Sequence, residues 1–595
     1  MQTSKLFLFV LLAVVLVGSV SAQSGHVTLL TVAESEGGER GGTADLYLEI
    51  QPGTGQIFLD TYPLAKLDTQ SSTRYATRIA CEYANADCDQ YDFFFTIRAN
   101  SRLVGGPSAG AAIAVLTAAL LTGTPIDASV AITGTIDSGG LIGPVAGVKE
   151  KALAAAEQGL SLVLISAFSY PTEVNESYLE LVNKTNATVN LSRVYVPVNL
   201  SSLGIPIRTV TTLDEALAYF TGREPTQRPV TIEEDAAYRS IMQRIARELC
   251  ARRTELANED DDPLGLKEQR EEAEREEDWY SLASYCFREA IAYREQQFAQ
   301  LSPAQLASHR DALREAVRQF QQQMLQRTPR TMAQLETSMI VAERLDETWE
   351  RLEGNLSAEN LAFAHERLNS AQVWFAFWSM RSPRITLDEQ HLRRACNAKL
   401  AEAQERISYV NLYLPDEYLA RAKEELAKAR AAADNGAPTT CIHHAAKARA
   451  QANVLSTTLA TPEEQFPLML DTKLASVARV IAQQEQFPIL GYSYYRYAQS
   501  LGEHDRYSAL TFAEYALELS DLAIYFPKHQ RVRIPTQLIG PLLLFAGGIL
   551  TGLIVALAIL RPRRRRATKQ TRRRENKRRE SRKRESRGRG RKGRG

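Results

Sequence analysis

The stretch best suited to chemistry is Gly106-Pro107-Ser108-Ala109-Gly110. A serine that follows a proline at a helix start presents its hydroxyl beside backbone N–H groups that have no acceptor within the helix. Those donors and the helix dipole suit a developing oxyanion. A serine needs a base to become a nucleophile, and no histidine is near. The eight histidines stand at 26, 309, 365, 391, 443, 444, 504 and 529, so none lies between Val27 and Ser308. This disfavours a Ser-His-Asp site here and leaves lysine as the base. A lysine accepts a proton only when neutral, so its pKa must fall from about 10.4 toward neutrality through burial in apolar surroundings. Lys151 fits, since Ala152, Leu153 and three further alanines follow it. Two readings of these residues stand side by side: a Ser–Lys dyad, or an ordinary helix cap with a solvent-exposed lysine.

The neighbouring motifs separate them. Gly-Pro-Ser-Ala-Gly at 106–110 is followed by Thr117-Ala118, Leu121-Thr122-Gly123, Ala131-Ile132-Thr133-Gly134, Gly140, Gly147-Val148-Lys149-Glu150-Lys151 and Ala154-Ala155. In order and spacing, without a gap, this segment resembles the proteolytic domain of Lon-type Ser–Lys proteases. Weaker likeness reaches upstream into a β-rich region and downstream to about Phe220, so roughly 200 of the 595 residues are covered. The resemblance implies Ser108 as nucleophile, Lys151 as general base and Thr133 as the residue that orients Lys151. It places the substrate and oxyanion contacts around Gly106, Pro107, Ala109 and Gly110. Neutral Lys151 would take the Ser108 proton, Ser108 would attack the scissile carbonyl, and water would release the acyl group.

Three departures from the family pattern matter. Gly105 stands where an acidic residue is common, and Thr135 follows Thr133-Gly134 where the family has a carboxylate. No G-x-x-x-x-G-K-[ST] loop occurs anywhere in the chain, and that loop is what cradles nucleotide phosphates. The resemblance therefore implies cleavage without ATP, on protein or peptide substrates that are unfolded or extended, with no cofactor and no metal. The arrangement is similar to that of secreted or membrane-bound Lon-like proteases predicted in archaea.

The elements that must position these residues follow from periodicity. Val27–Val32, Leu46–Ile50 and Phe93–Ile97 read as strands in a β-rich region over 27–98. Ser108–Leu121 reads as an apolar helix, Ser129–Thr133 as a strand, Lys149–Gln158 as a helix and Ser161–Ile165 as a strand. Ile207–Val210 and Leu213–Phe220 close an α+β domain over 23–224. From about Ile232 the chain is rich in Ala, Glu, Arg, Gln and Leu at helical spacing, broken at Asp262-Pro263, Ser302-Pro303, Gly354, Ser382-Pro383, Asn435–Pro438, Phe487-Pro488 and Gly502. Those breaks argue for helical hairpins over 225–535 rather than a sustained coiled coil.

Composition sets the outer limits. An apolar fraction of 44% and a charged fraction of 24% exclude a wholly disordered or collagen-like chain. The net charge of +1 hides a split. Beyond Leu560 there are twenty Lys/Arg against three Glu, and before it fifty-one basic side chains against sixty-seven acidic. An acidic body with a basic tail is not the composition of a nucleic-acid-binding domain. Residues 1–22 have the layout of a signal peptide, with Lys5 before an apolar run and small residues up to Ala22. The uncharged run 538–560 is long enough to span a bilayer. Arg561 and Arg563–Arg566 follow it, and that flank predicts a cytoplasmic tail over 561–595 and an outward-facing body. The tail's Arg/Gly/Ser/Glu composition predicts disorder.

The expected whole is thus an α+β Lon-type proteolytic domain, an all-α helical-hairpin domain and a single transmembrane helix, placed as a type I single-pass protein of the cell membrane. Sequons at Asn175, Asn183, Asn186, Asn190, Asn199 and Asn355 are glycosylation candidates. Six cysteines, an even number, suit an oxidising compartment. Cys81 and Cys88, seven apart, would close a small loop. The hairpins pair Cys250 with Cys286 and Cys396 with Cys441, each staple contributing about 3 kcal/mol by restricting the unfolded chain.

Other features carry a plainer reading. His391, Cys396, Cys441, His443 and His444 match no compact zinc spacing, so a disulfide with two histidines beside it is preferred. Trp374–Trp378 and Tyr492–Tyr497 read as helix–helix core, with a peptide groove as the alternative. Gly548 and Gly552 form a G-x-x-x-G pattern compatible with helix pairing and a homo-oligomer. Against the endopeptidase stand two alternatives: a catalytically quiet scaffold binding proteins through its hairpins, and a protease that releases its own ectodomain near Pro527–Pro535.

Overall fold

A computed structural model describes residues 23–526 apart from 36–37, 63, 65–66, 100–106, 169–171, 175–194, 198–202, 227–229, 257–261, 386, 412–413, 459–460 and 503, together with Gly552 and 572–581. Residues up to Pro527 belong to one compact unit and those from Lys528 to a second.

Four strands form the first sheet: β1 (Gln23–Ser35), β2 (Gly38–Pro52), β3 (Ile57–Tyr62) and β4 (Tyr91–Ala99). Their order is β1-β2-β4-β3, with β1/β2 and β2/β4 antiparallel and β3/β4 parallel. Alternation decides the face: Val27, Leu29, Leu46, Leu48, Ile50, Phe93, Phe95 and Ile97 are buried on one side. A parallel β3/β4 pair needs a crossover, and helix α1 (Leu67–Ala84) supplies it. The sequence reading assigned that stretch to a β-rich region and missed the helix. Its inward positions, Thr69, Ser72, Thr73, Ala76, Thr77 and Ala80, keep helical spacing but are mostly hydroxyl-bearing, so no apolar stripe marks it.

The second half of the α+β region holds α2 (Gly110–Leu121), β5 (Val130–Thr133), the β6–β7 hairpin (Thr135–Asp137, Leu141–Gly143), α3 (Val148–Glu157), β8 (Leu162–Ser166), β11 (Ile207–Val210) and α4 (Leu213–Thr221). Between β8 and β11 the short strands β9 (Thr172–Val174) and β10 (Tyr195–Pro197) pair antiparallel. The three-stranded sheet β11-β8-β5 is all parallel. Helix α2 is buried almost all round, which is why its twelve residues carry no charge.

The helical region runs from α5 (Ala236–Leu256) through α6 (Lys267–Arg275), α7 (Trp279–Phe298), α8 (Pro303–Leu325), α9 (Met332–Glu353), α10 (Ala358–Trp374), α11 (Glu389–Val410), α12 (Ala420–Asp434), α13 (Pro438–Thr458), α14 (Phe466–Gln483) and α15 (Ile489–Leu501) to α16 (Arg506–Ser520). Ser302 and Gln305 form a capping box with Pro303 in the first turn of α8. Three disulfides are present: Cys81–Cys88, Cys250–Cys286 joining α5 to α7, and Cys396–Cys441 joining α11 to α13. The aromatic runs are core: Tyr238 stacks on Phe377 and meets Tyr492 edge-on.

Two expectations are corrected. Among the described residues no helix is long and apolar enough to cross a membrane, so the single transmembrane helix does not stand, and with it goes the single-pass membrane localisation. The long helices are amphipathic; α8, at 23 residues, carries Arg310, Arg314, Glu315 and Arg318. The run 538–560 lies outside the described residues except for Gly552, and the signal-peptide segment 1–22 lies wholly outside them. So do the sequons at Asn175, Asn183, Asn186, Asn190 and Asn199, whereas Asn355 is described and exposed. In the basic tail, residues 572–581 are helical and exposed.

Candidate active site

Ser108 is the middle residue of a 3-10 turn, Pro107–Ala109, that leads directly into α2. It is half-buried. Gly105 and Gly106 lie outside the described residues. The turn is sewn to the junction of β5 and β6: Gly134 N–H donates to Ser108 C=O at 3.1 Å, and Ala111 N–H donates to Gly134 C=O at 3.0 Å. From the other side the Ser72 hydroxyl of α1 donates to Pro107 C=O at 3.4 Å.

Close approach requires glycine at two of these points. A Cβ on Gly134 would stand 2.6 Å from Ile142 Cγ2, and one on Gly110 would stand 3.0 Å from Ser72 Oγ and 3.2 Å from Ile136 N. The Gly134 bonds bring Thr133, the last residue of β5, next to the serine's turn. Thr133 is 1% exposed, and its hydroxyl has no hydrogen-bond partner among the described residues.

Lys151 sits in the first turns of α3 and is 4% exposed. Gly147 caps that helix in the left-handed region, φ 68°, and its carbonyl accepts from Lys151 N–H at 3.0 Å. Positions 148, 151, 152 and 155 share one helix face. Val148, Ala152 and Ala155 on that face pack into a cluster with Leu30, Ala131, Val163 and Ile165. Ala131 lies two residues before Thr133 on β5, so one strand serves both the lysine's helix and the serine's turn. Strand β2 comes so near α3 that a Cβ on Gly41 would overlap the Glu150 carbonyl. The solvent-exposed alternative for Lys151 is thereby excluded.

The remaining residues singled out in the sequence lie elsewhere. Cys396 and Cys441 are joined to each other. His444 Nδ1 meets Glu425 at 2.6 Å, and buried His443 faces Glu343 at 3.2 Å. Burial opposes a proton on His444, but its bonds to Asp346 and Glu425 outweigh that and hold the imidazole at about 9.

Two groups that sequence reasoning missed stand around the serine's turn. One is Ser72 on α1. The other is Asp137-Ser138 at the end of β6, gripped by the helical region. Arg406 of α11 donates to Asp137 at 2.6 Å. Ser138 Oγ donates to the Glu514 carboxylate at 2.6 Å, and Lys473 Nζ donates to the Ser138 carbonyl at 2.9 Å and ion-pairs with Glu514.

Comparison with known proteins places this geometry. Residues 75–189, which include Ser108, Thr133 and Lys151, match the family model of the Lon protease (S16) C-terminal proteolytic domain. The chain is 37% identical over 89 residues to the Lon protease of Methanosphaera stadtmanae, 15% of this chain and 11% of that protein. It is 35% identical over 125 residues to the Lon protease of Paraburkholderia phytofirmans, 20% of this chain and 15% of that one. For the Lon protease of Neorickettsia sennetsu the figures are 30% over 202 residues, 32% and 21%. The chain thus carries a Lon-type proteolytic domain and spans only 11–21% of the length of these relatives.

Proposed function

We propose that the protein is a serine endopeptidase that cleaves unfolded or extended polypeptides without ATP, with Ser108 as nucleophile and Lys151 as general base. The observation that carries this reading is the burial of Lys151 on the apolar face of α3, beside the strand whose end is bonded to the serine's turn. Removal from water disfavours an ammonium and favours the amine that a base must be. Neutral Lys151 takes the Ser108 proton, Oγ attacks the scissile carbonyl, and the leading N–H groups of α2 stabilise the oxyanion. Lys151 then returns the proton to the leaving amine, and water attacks the acyl group in the second half-reaction. Thr133, with its hydroxyl buried and without a partner among the described residues, is a group available to orient the lysine.

The test uses the full chain on unfolded casein without nucleotide, from pH 6 to 10. Wild type cleaves with a rate that rises with pH as Lys151 loses its proton. Ser108→Ala and Lys151→Ala each lose about 10⁴-fold or more. Three equally inert proteins, or three equally active ones, would overturn the reading.

A further inference from the structure

A cavity of about 300 Å³ lies between α1, β6 and the helical region. Ser72, Tyr75 and Arg78 line it from α1, Ile136 from β6, and Glu402 and Arg406 from α11. That volume is at the small end for ligand pockets, so it suits a short group rather than a folded partner. It shares a wall with the nucleophile's turn, because Ser72 bonds Pro107 and the Ile136 amide abuts Gly110.

The polar groups of this wall are mostly paired among themselves. Glu402 accepts from Arg449 at 2.8 Å and from Tyr525 at 2.9 Å, and Arg406 Nη2 donates to Asp137 at 2.6 Å. Two buried atoms of lining residues have no partner among the described residues, Tyr75 Oη and Arg406 Nε. Arg406 is 4% exposed, and its guanidinium lies 4.6 Å over the Tyr75 ring. Both atoms are hydrogen-bond donors, they belong to stacked residues, and both are shut off from bulk water. A group with two acceptor oxygens and no proton satisfies them together, which is the chemistry of a carboxylate.

We propose that this cavity binds a peptide carboxylate, from a C-terminus or from an acidic side chain, beside the scissile site. The peptide as source rests on the peptidase reading above. Binding is measured calorimetrically on the full chain carrying Ser108→Ala, so a wild type that proves inert leaves the measurement intact. The probes are N-acetyl-trialanine, its C-terminal amide, and N-acetyl-Ala-Glu-Ala amide.

The free acid binds about tenfold more tightly than its amide. A glutamyl amide as tight as the free acid assigns the side-chain source, and a weaker one assigns the terminus. Tyr75→Phe removes one donor without changing shape and cancels most of the preference for acid over amide. Arg406→Lys does the same where the variant folds. Equal affinity for acid and amide, no binding by any probe, or a preference that survives Tyr75→Phe would each overturn the site and leave the peptidase reading untouched.

Discussion

Buried polar groups are treated in opposite ways at the two ends of one six-residue stretch. At Thr133 a hydroxyl is shut away from water and bonded to nothing described. Five residues on, Ser138 is bonded to Glu514 and Lys473, and Asp137 to Arg406, with every one of these residues 1–4% exposed. Behind the seam, within the helical region, Lys399–Glu518 and Arg449–Glu402 are further buried pairs. The difference teaches what each region is for. Desolvated charges that are each held by an opposite charge fix how two surfaces fit. An unpaired buried hydroxyl costs stability, so it persists only where something else needs it. The seam also holds the far end of β6, the strand that begins just after Thr133, which makes the helical region part of the site's scaffold.

The seam is the place to break this contrast most forcefully. Lys473→Met strands the Glu514 carboxylate and costs about 3–5 kcal/mol in urea unfolding. Lys473→Met with Glu514→Leu recovers most of that loss, because an apolar pair replaces an ionic one at little net cost. Ser108→Ala changes stability by less than about 0.5 kcal/mol. A seam variant as mild as the serine variant would mean that the pairing does not hold the two parts together.

Gly134→Ala strikes between the two regions. Its methyl would meet Ile142 Cγ2 of β7 at 2.6 Å, so Gly134 and β7 must move apart, and Gly134 is the residue bonded to the serine's turn. The expected cost is about 2–3 kcal/mol of stability and about 100-fold in rate, read from unfolding curves and casein cleavage. An unaffected rate would show that the Ser108–Gly134 bond does not set the geometry.

A third kind of buried polar group sharpens the comparison. Glu336 on α9 is 2% exposed and accepts from Leu490 N–H at 2.7 Å. Burial lifts it from the ordinary 4.5 to about 8, against the pull of the backbone N–H groups of Leu490 and Ile489. Because the folded value is the higher one, its contribution is fully present below the unfolded value and is lost as pH rises to about 8. Wild type therefore loses about 3–4 kcal/mol between pH 5 and 8, and Glu336→Gln removes most of that slope. Equal slopes for the two proteins would place the titrating group elsewhere.

The parts legible in the sequence were those whose signals are local. Ser108, Thr133 and Lys151 sit in contiguous motifs, and the strands and helices around them carry clean apolar periods. Helix α1 was not legible, because Thr69, Thr73 and Thr77 take positions where leucine would have announced a buried face. Thr73 and Thr77 satisfy their hydroxyls on the backbone one turn earlier, on Thr69 C=O at 2.7 Å and on Thr73 C=O at 2.8 Å. The seam was hidden for a different reason. Arg406 meets Asp137 across 269 residues of chain, and Glu514 meets Ser138 across 376. No short-range pattern encodes such pairs. The cavity's two donors without a partner among the described residues come from α1 and α11, so they inherit both difficulties.

The smallest effect on stability is the most discriminating, because its two readouts move in opposite directions. Thr133→Val keeps the shape of the side chain and deletes a hydroxyl that makes no bond among the described residues. If the hydroxyl were only a packing group, removing it would relieve an unsatisfied buried dipole, a gain of up to about 1 kcal/mol, with no change in rate. If it steers the amine of Lys151, the same gain comes with a rate about tenfold lower. The loss falls on kcat rather than KM, and Thr133→Ser restores it because the hydroxyl returns without the methyl. A stabilised and fully active Thr133→Val would leave Ser108 and Lys151 without this third partner. Loss of both stability and rate would instead put Thr133 in the same class as the paired residues of the seam.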